Sequence, residues 1–373
     1  MIAELRRVSR PARSSDEYAA TSRWSRAGER LRRLLATTLV AGFALSACSG
    51  AVLPTSTPSP AISVATSGSI ATASLGPSQP ATPGEGTAAP ASAAAIPPGR
   101  LAYGRFSPAG THVFAANTDG TDEQALLSQV AEGPRFSPDG RRLVVVVESP
   151  QGLIFSGFVN PDGSNFTWLD SPDPTLNLAC ASWSPDGSRL GCEAWDDTDV
   201  TRQGVYTVRA SDGGDLTRVT TSPAGTHDGY CGGHSPDGRQ LLFLRADLPD
   251  EEQATMMVVN LDGSDERAVI AQKVWLWCDW SPDGKTILTE ANGSLLLVPV
   301  DGSQPSAIKI AADSPVRATR AAFSPDGTWI VFSRVTSTGE DIYIMRKDGT
   351  NLHQITDTPG DDEEFGDWGV PAP

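Results

Sequence analysis

The tetrapeptide Ser-Pro-Asp-Gly begins at Ser137, Ser184, Ser235, Ser281 and Ser324, at intervals of 47, 51, 46 and 43 residues. A period in the forties with strand-like segments restricts the chain to a propeller or a solenoid. An aromatic residue precedes the turn at Phe136, Trp183, Trp280 and Phe323, and His234 takes that place in the third copy. A second turn, Asp-Gly, recurs at Asp119, Asp162, Asp212, Asp262, Asp301 and Asp348. In the first turn Pro presets φ, Asp accepts a local backbone hydrogen bond, and Gly takes the positive φ that follows. Each copy therefore closes a hairpin. The flanking runs, such as 142–148, 240–244 and 329–333, are nearly continuous in apolar residues and predict strands buried on both faces. One unit is strand A, Ser-Pro-Asp-Gly, strand B, loop, strand C, Asp-Gly and strand D. Four antiparallel strands of this kind make a propeller blade.

Complete units begin near residues 131, 177, 228, 274 and 317. Residues 100–127 form a unit that lacks strand A, with Ser107-Pro108-Ala109-Gly110 as its B–C loop. The chain end, 363–369, reads as a strand A without the rest, and Trp368 follows Phe323 by 45 residues. The C-terminal strand is therefore expected to complete the first blade. The result is an all-β, six-bladed β-propeller of four-stranded antiparallel blades with no open edge.

The pattern of an aromatic residue, Ser-Pro-Asp-Gly, an apolar strand, Asp-Gly, and a closing Leu216-Thr217 or Ile355-Thr356 resembles the TolB-like six-bladed β-propeller family. The resemblance covers residues 100–370 and implies fold, because such propellers serve as scaffolds, gates and sensors alike. The N-terminal α/β domain of TolB has no counterpart, so the resemblance does not carry over TolB's own partners.

Charge divides the chain into three zones. Residues 1–47 carry nine Arg and four acids, 48–99 carry a single charged residue, Glu85, and 100–373 carry 20 bases and 40 acids. In the first zone Arg26, Arg30, Arg32 and Arg33 precede an apolar stretch, 34–47, ending Leu45-Ser46-Ala47-Cys48. This has the order of a secretory signal and resembles a bacterial lipobox, which implies acylation of Cys48. The Arg32-Arg33 pair alone is weak evidence for twin-arginine export. Residues 48–99, almost entirely Ala, Ser, Thr, Pro and Gly, are expected to be a disordered tether. The propeller then occupies 100–373. The net charge of −16 argues against a nucleic-acid partner. The expected protein is a monomer, lipid-anchored on the extracytoplasmic side of a membrane in the cell envelope.

Apart from Cys48 there are four cysteines. Cys180 and Cys192 are symmetric about Asp186, the middle of a hairpin turn, so they face each other across strands A and B. Cys231 and Cys278 lie on the A strands of consecutive blades and can bridge them. An exported chain favours both disulfides.

Catalytic motifs are absent from the sequence. There is no G-x-S-x-G elbow, and none of His112, His227, His234 and His353 pairs recognisably with a nucleophile. His234 reads as an inter-blade packing residue. A metal site of Cys231, His227, Asp228 and His234 matches no standard spacing. An ion pair between Arg135 and Asp367, on adjacent inner strands, is expected to be structural. The mouth of the channel is the expected ligand site, with Glu132, Asp228 and Glu364 as carboxylates near the inner strands. Acidic loops at 196–199, 247–252 and 361–364 surround it. Trp275 and Trp277, two residues apart, are expected on one strand face. The leading expectation is a non-catalytic module that binds a protein or peptide, with no cofactor. The alternatives are a lactonase-type hydrolase, with a channel metal such as Ca²⁺ held by Glu132, Asp228 and Glu364, and a carbohydrate-binding module using Trp275 and Trp277.

Overall fold

The computed structural model describes residues 95–107, 110–149, 152–248, 253–275, 277–310, 317–336 and 339–371. The signal segment, the lipidation candidate Cys48 and the tether up to residue 94 lie outside the described residues, as do Asp250, Glu251 and Glu252.

The fold is all-β. The chain enters with β1 (Arg100–Ser107), β2 (Gly110–Asn117) and β3 (Gln124–Ala125). Four four-stranded antiparallel sheets follow. They are β4 (Ala131–Phe136), β5 (Leu143–Glu148), β6 (Ile154–Val159) and β7 (Thr167–Trp168), then β8 (Asn177–Trp183), β9 (Arg189–Trp195), β10 (Gly204–Arg209) and β11 (Thr217–Arg218). Next come β12 (Thr226–His234), β13 (Gln240–Asp247), β14 (Ala254–Asn260) and β15 (Arg267–Ala268), and β16 (Cys278–Trp280), β17 (Thr286–Ala291), β18 (Ser294–Pro299) and β19 (Ser306–Ala307). The last strands are β20 (Ala318–Phe323), β21 (Trp329–Val335), β22 (Glu340–Arg346), β23 (His353–Gln354) and β24 (Asp362–Gly369). β24 lies antiparallel to β1, pairing Leu101 with Trp368 and Arg105 with Glu363. One parallel bridge, Glu340 to Asp362, joins this group to β20–β23. Among the described residues no helix is long and apolar enough to cross a membrane.

The sheets stand in a propeller-like arrangement. The first strands contact one another in the order β4, β8, β12, β16, β20 and β24, and β24 contacts β4. The repeat makes these contacts. Trp183 Nε1 donates to the Arg135 carbonyl of the preceding first strand at 3.1 Å, and Trp280 Nε1 donates to the Gly233 carbonyl at 3.1 Å. The residue before the aromatic reaches the other way. Asp279 Oδ2 accepts from the Phe323 amide at 2.8 Å, and Asp367 Oδ2 accepts from the Phe136 amide at 2.7 Å. Where the seam residue is tryptophan, at Trp183 and Trp280, the polar edge of its ring satisfies a buried backbone carbonyl.

The turns are equally regular. In all five Ser-Pro-Asp-Gly copies the Ser Oγ donates to its Asp at 2.6–2.7 Å and accepts the amide five residues on at 2.9–3.0 Å. The glycine closes the turn at φ between +67° and +71°, a conformation that disfavours a Cβ. At the second turn, Asp122, Asn165, Asp215, Asp265 and Asn351 adopt φ of +51° to +56°. Asp and Asn tolerate this region best among residues with side chains. An Asx three residues after the Asp is thus part of the repeat in five of the six Asp-Gly turns, Gln304 standing there after Asp301.

Both disulfides are formed. Cys180 and Cys192 are direct cross-strand partners on β8 and β9, and Cys231–Cys278 joins β12 to the first strand of the next sheet, β16.

Candidate functional site: the channel mouth

The first strands begin, and the second strands end, at one rim of the sheets. The charged residues gathered there come from several sheets, which is why no local motif announces them.

Asp228 was expected to line this mouth. Instead it is fully buried and faces Arg245, its cross-strand partner, with Nε–Oδ1 2.6 Å and Nη2–Oδ2 2.8 Å. Arg245 also bonds Glu266. A carboxylate held in a bidentate pair is a structural anchor, because breaking it would leave a buried charge. Beside it His227 Nε2 lies 2.7 Å from Glu193 Oε1 of the preceding sheet. Cys231 is committed to its disulfide. Among the described residues no group of three His, Cys, Asp or Glu side chains stands at metal-ligand spacing.

Trp275 and Trp277 do not share a strand face. The Trp277 amide donates to the Trp275 carbonyl at 2.7 Å, a tight turn, and β16 starts only at Cys278. The period-two reading fails because the backbone is not extended there. Both rings are half-buried and occupied. Trp277 Nε1 donates to the Ala321 carbonyl at 3.0 Å, and the Arg135 guanidinium lies 4.6 Å from its ring centre. Arg317 lies 5.2 Å from the ring of Trp275. Arg135 also meets Asp367 at 3.1 Å, the ion pair read from the sequence. Its charge opposes the burial that pushes the Asp279 carboxyl up to about 7.

Glu364 feels the charge of Glu132 and pairs with Arg320, a residue with no signature in the sequence. Arg320 sits at a bulge of β20 with φ +48°, where the equivalent bulge of β4 uses Gly133 at φ +60°. A non-glycine residue here stores on the order of 1 kcal/mol of backbone strain. Its guanidinium lies 3.2 Å from Glu364 and 3.7 Å from Glu340. Glu340 is fully buried and accepts from Thr319 Oγ1 at 2.6 Å. Burial pushes the Glu364 carboxyl up to about 7, with Arg320 opposing and Glu340, Asp362 and Glu132 adding to the rise. Burial likewise pushes Glu290 up to about 7, against Arg317 and Arg320. Glu290 Oε1 is 3.6 Å from Arg317 Nε, and that oxygen is buried without a hydrogen bond.

Glu290, Arg317, Arg320 and Glu340 were not singled out in the sequence. One signal was available. Glu193, Arg245 and Glu290 stand nine or ten residues after Ser184, Ser235 and Ser281, so the end of strand B carries a charge in three successive repeats. The arrangement can receive a charged group from solvent. No nucleophile with an oriented base is evident among the residues described above.

No protein-family model matches the chain. Two curated proteins align with it: an uncharacterized protein of Agrobacterium fabrum, 25% identical over 197 residues, 50% of this chain and 59% of that one, and the uncharacterized peptidase YuxL of Bacillus subtilis, 26% identical over 236 residues, 57% of this chain and 31% of that one. The chain thus spans less than two thirds of the length of these relatives. Among solved structures it is similar to TolB from Acinetobacter baumannii, at TM-score 0.56 and 19% identity over 73% of this chain and 67% of that one. A protein assigned as TolB from Agrobacterium tumefaciens matches at TM-score 0.51 and 18% identity over 72% and 98%. The fold is therefore that of a TolB-like propeller.

Proposed function

We propose that the chain is a six-bladed propeller closed by β24, which acts outside the cytoplasm as a non-catalytic module that binds a protein or peptide at its acidic mouth. The observation that carries the reading is the convergence of Glu132, Glu290, Glu340 and Glu364 with Arg317 and Arg320 from four groups of strands onto one rim. A charged, concave rim built by several blades suits recognition of a charged partner. The cyclic order of first-strand contacts and the β1–β24 pairing support a closed ring. Two disulfides favour an oxidising compartment. In this reading Cys48 carries the lipid anchor and 49–99 is the stalk.

Affinity capture from envelope extract with the full chain tests the function. Arg320→Ala and Glu364→Gln are expected to deplete the same captured protein while leaving the melting transition in place. Identical capture by both variants would move the binding surface away from the mouth. Similarity to a protein named a peptidase favours a second reading, peptide hydrolysis. Turnover of a peptide library by the purified chain, abolished by Glu364→Gln, would replace the first reading with that one.

A further inference from the structure

The proposed binding reading leaves open what chemistry the mouth accepts, and one atom narrows it. Glu290 is 3% exposed, and its Oε1 has no hydrogen-bond partner. An oxygen of a buried carboxylate left in this state is costly, and native structures almost always satisfy it. The nearest cation, Arg317 Nε at 3.6 Å, is beyond good hydrogen-bond distance, so it offsets charge without filling the acceptor. Arg317 is itself 32% exposed, and its guanidinium lies 5.2 Å from the ring centre of Trp275.

Resting on that reading, we propose that the mouth accepts a primary ammonium group, a lysine side chain or a free amino terminus of the partner, with Glu290 Oε1 as its main acceptor and Glu340 and Glu364 flanking it. The charge balance points the same way. Four carboxylates, Glu132, Glu290, Glu340 and Glu364, face two guanidinium groups, Arg317 and Arg320, and Asp362 adds to the negative field. A bare divalent ion needs several oxygens within about 2.6 Å, and no such group of three exists among the described residues. An ammonium on a flexible stem needs only separate acceptors at about 2.8 Å, and it carries three donors to reach them. Arg320 and Arg317 then act as internal stand-ins for the ligand. The raised carboxyls of Glu290 and Glu364 are the expected signature of a site short of positive charge.

Calorimetric titration of the full chain with blocked Gly-Lys-Gly, blocked Gly-Gln-Gly and unblocked Gly-Gly-Gly amide tests this. The lysine or the free-amine peptide is expected to bind saturably, and the glutamine peptide at least tenfold more weakly. Near pH 6.5 an arriving cation lowers the pKa of Glu290 and Glu364, so binding releases protons, and the measured enthalpy changes between phosphate and Bis-Tris, two buffers without a primary amine. Glu290→Gln, nearly isosteric, should weaken the amine peptide at least tenfold and diminish the proton release. Arg317→Gln should strengthen it a few-fold by removing the competitor, a gain that a purely structural role would not produce. Equal binding of lysine and glutamine peptides, no saturable binding at millimolar concentration, or unchanged affinity in Glu290→Gln overturns the inference. If envelope capture survives Glu290→Gln while no amine peptide binds, this inference fails and the binding reading stands. Loss of both would remove the two together.

Discussion

His234 shows at the residue scale what a departure from the repeat does. It fills the seam position held elsewhere by Phe or Trp, is 6% exposed, and meets Ser182 Oγ through Nδ1 at 3.3 Å. Its Nε2 is buried without a hydrogen bond. Burial, with Arg189 adding, pushes its pKa down to about 4. An unfolded histidine titrates near 6.5. Between those values the unfolded chain binds the extra proton, so stability is full above about pH 6.5 and is lost as pH falls toward 4. The loss is on the order of 3 kcal/mol. His234→Phe should flatten that acid limb in melting curves recorded from pH 7 to 4, and an unchanged limb would assign it to other groups. Buried acids give the opposite slope. Asp279, Glu290 and Glu364 are pushed up to about 7 by burial. The folded state holds their protons longer, so their stabilisation is present below about pH 4 and lost as pH rises through 7. Asp279→Asn should therefore raise the melting temperature more at pH 8 than at pH 5.

At the scale of elements the turn is the organising unit. Ser324 is 1% exposed, donates to Asp326 at 2.7 Å and accepts the Trp329 amide at 2.9 Å. Ser324→Ala removes both bonds and leaves a buried amide short of one acceptor, a cost of about 1–2 kcal/mol readable in urea unfolding. This layer of the fold was legible in the sequence because turn chemistry is local. Pro, Asp and Gly act within four residues, and the alternation of turns and apolar runs then dictates hairpins. The first strand was legible only in part. Trp275 and Trp277 have the spacing of a strand, yet the Trp275 amide bonds the Glu290 carbonyl and the Trp277 amide bonds the Trp275 carbonyl. That choice depends on neighbours far along the chain. The same holds for the mouth. Glu132 and Glu364 are legible as carboxylates near the inner strands, but the Arg320 that meets Glu364 and Glu340 shows no local signature, since its role follows from a bulge and from the sheets on either side.

For the whole molecule, two disulfides and the pairing of the first strand with the last tie distant parts of the chain together. Cys231–Cys278 ties two consecutive first strands across a sequence separation of 47 residues. By loop-entropy reasoning its removal costs roughly 4 kcal/mol, and Cys180–Cys192, closing a shorter loop, costs less. Cys278→Ser paired with Cys231→Ser should therefore lower the denaturation midpoint more than the other double replacement. The β1–β24 pairing is held by more than backbone. Arg105 Nε meets the fully buried Glu363 at 2.6 Å, and Trp368, 4% exposed, packs with Leu101, Tyr103 and Trp329. Ending the chain at residue 361 should bare the β1 edge and lead to aggregation, measured by light scattering. A soluble, cooperatively melting fragment would show that β24 is dispensable.

The sequence by itself determined the repeat, the hairpins, the pairing of β24 with β1 and the partners of both disulfides. Each rests on local turn geometry or on a period that sets which residues lie opposite one another. The tertiary structure decided which charges meet. It turned Asp228 inward to Arg245, occupied Trp275 and Trp277 with arginines, and set Arg320 among Glu290, Glu340 and Glu364. Those outcomes depend on burial and on distances between separate sheets, and neither quantity is written in the spacing of residues along one chain.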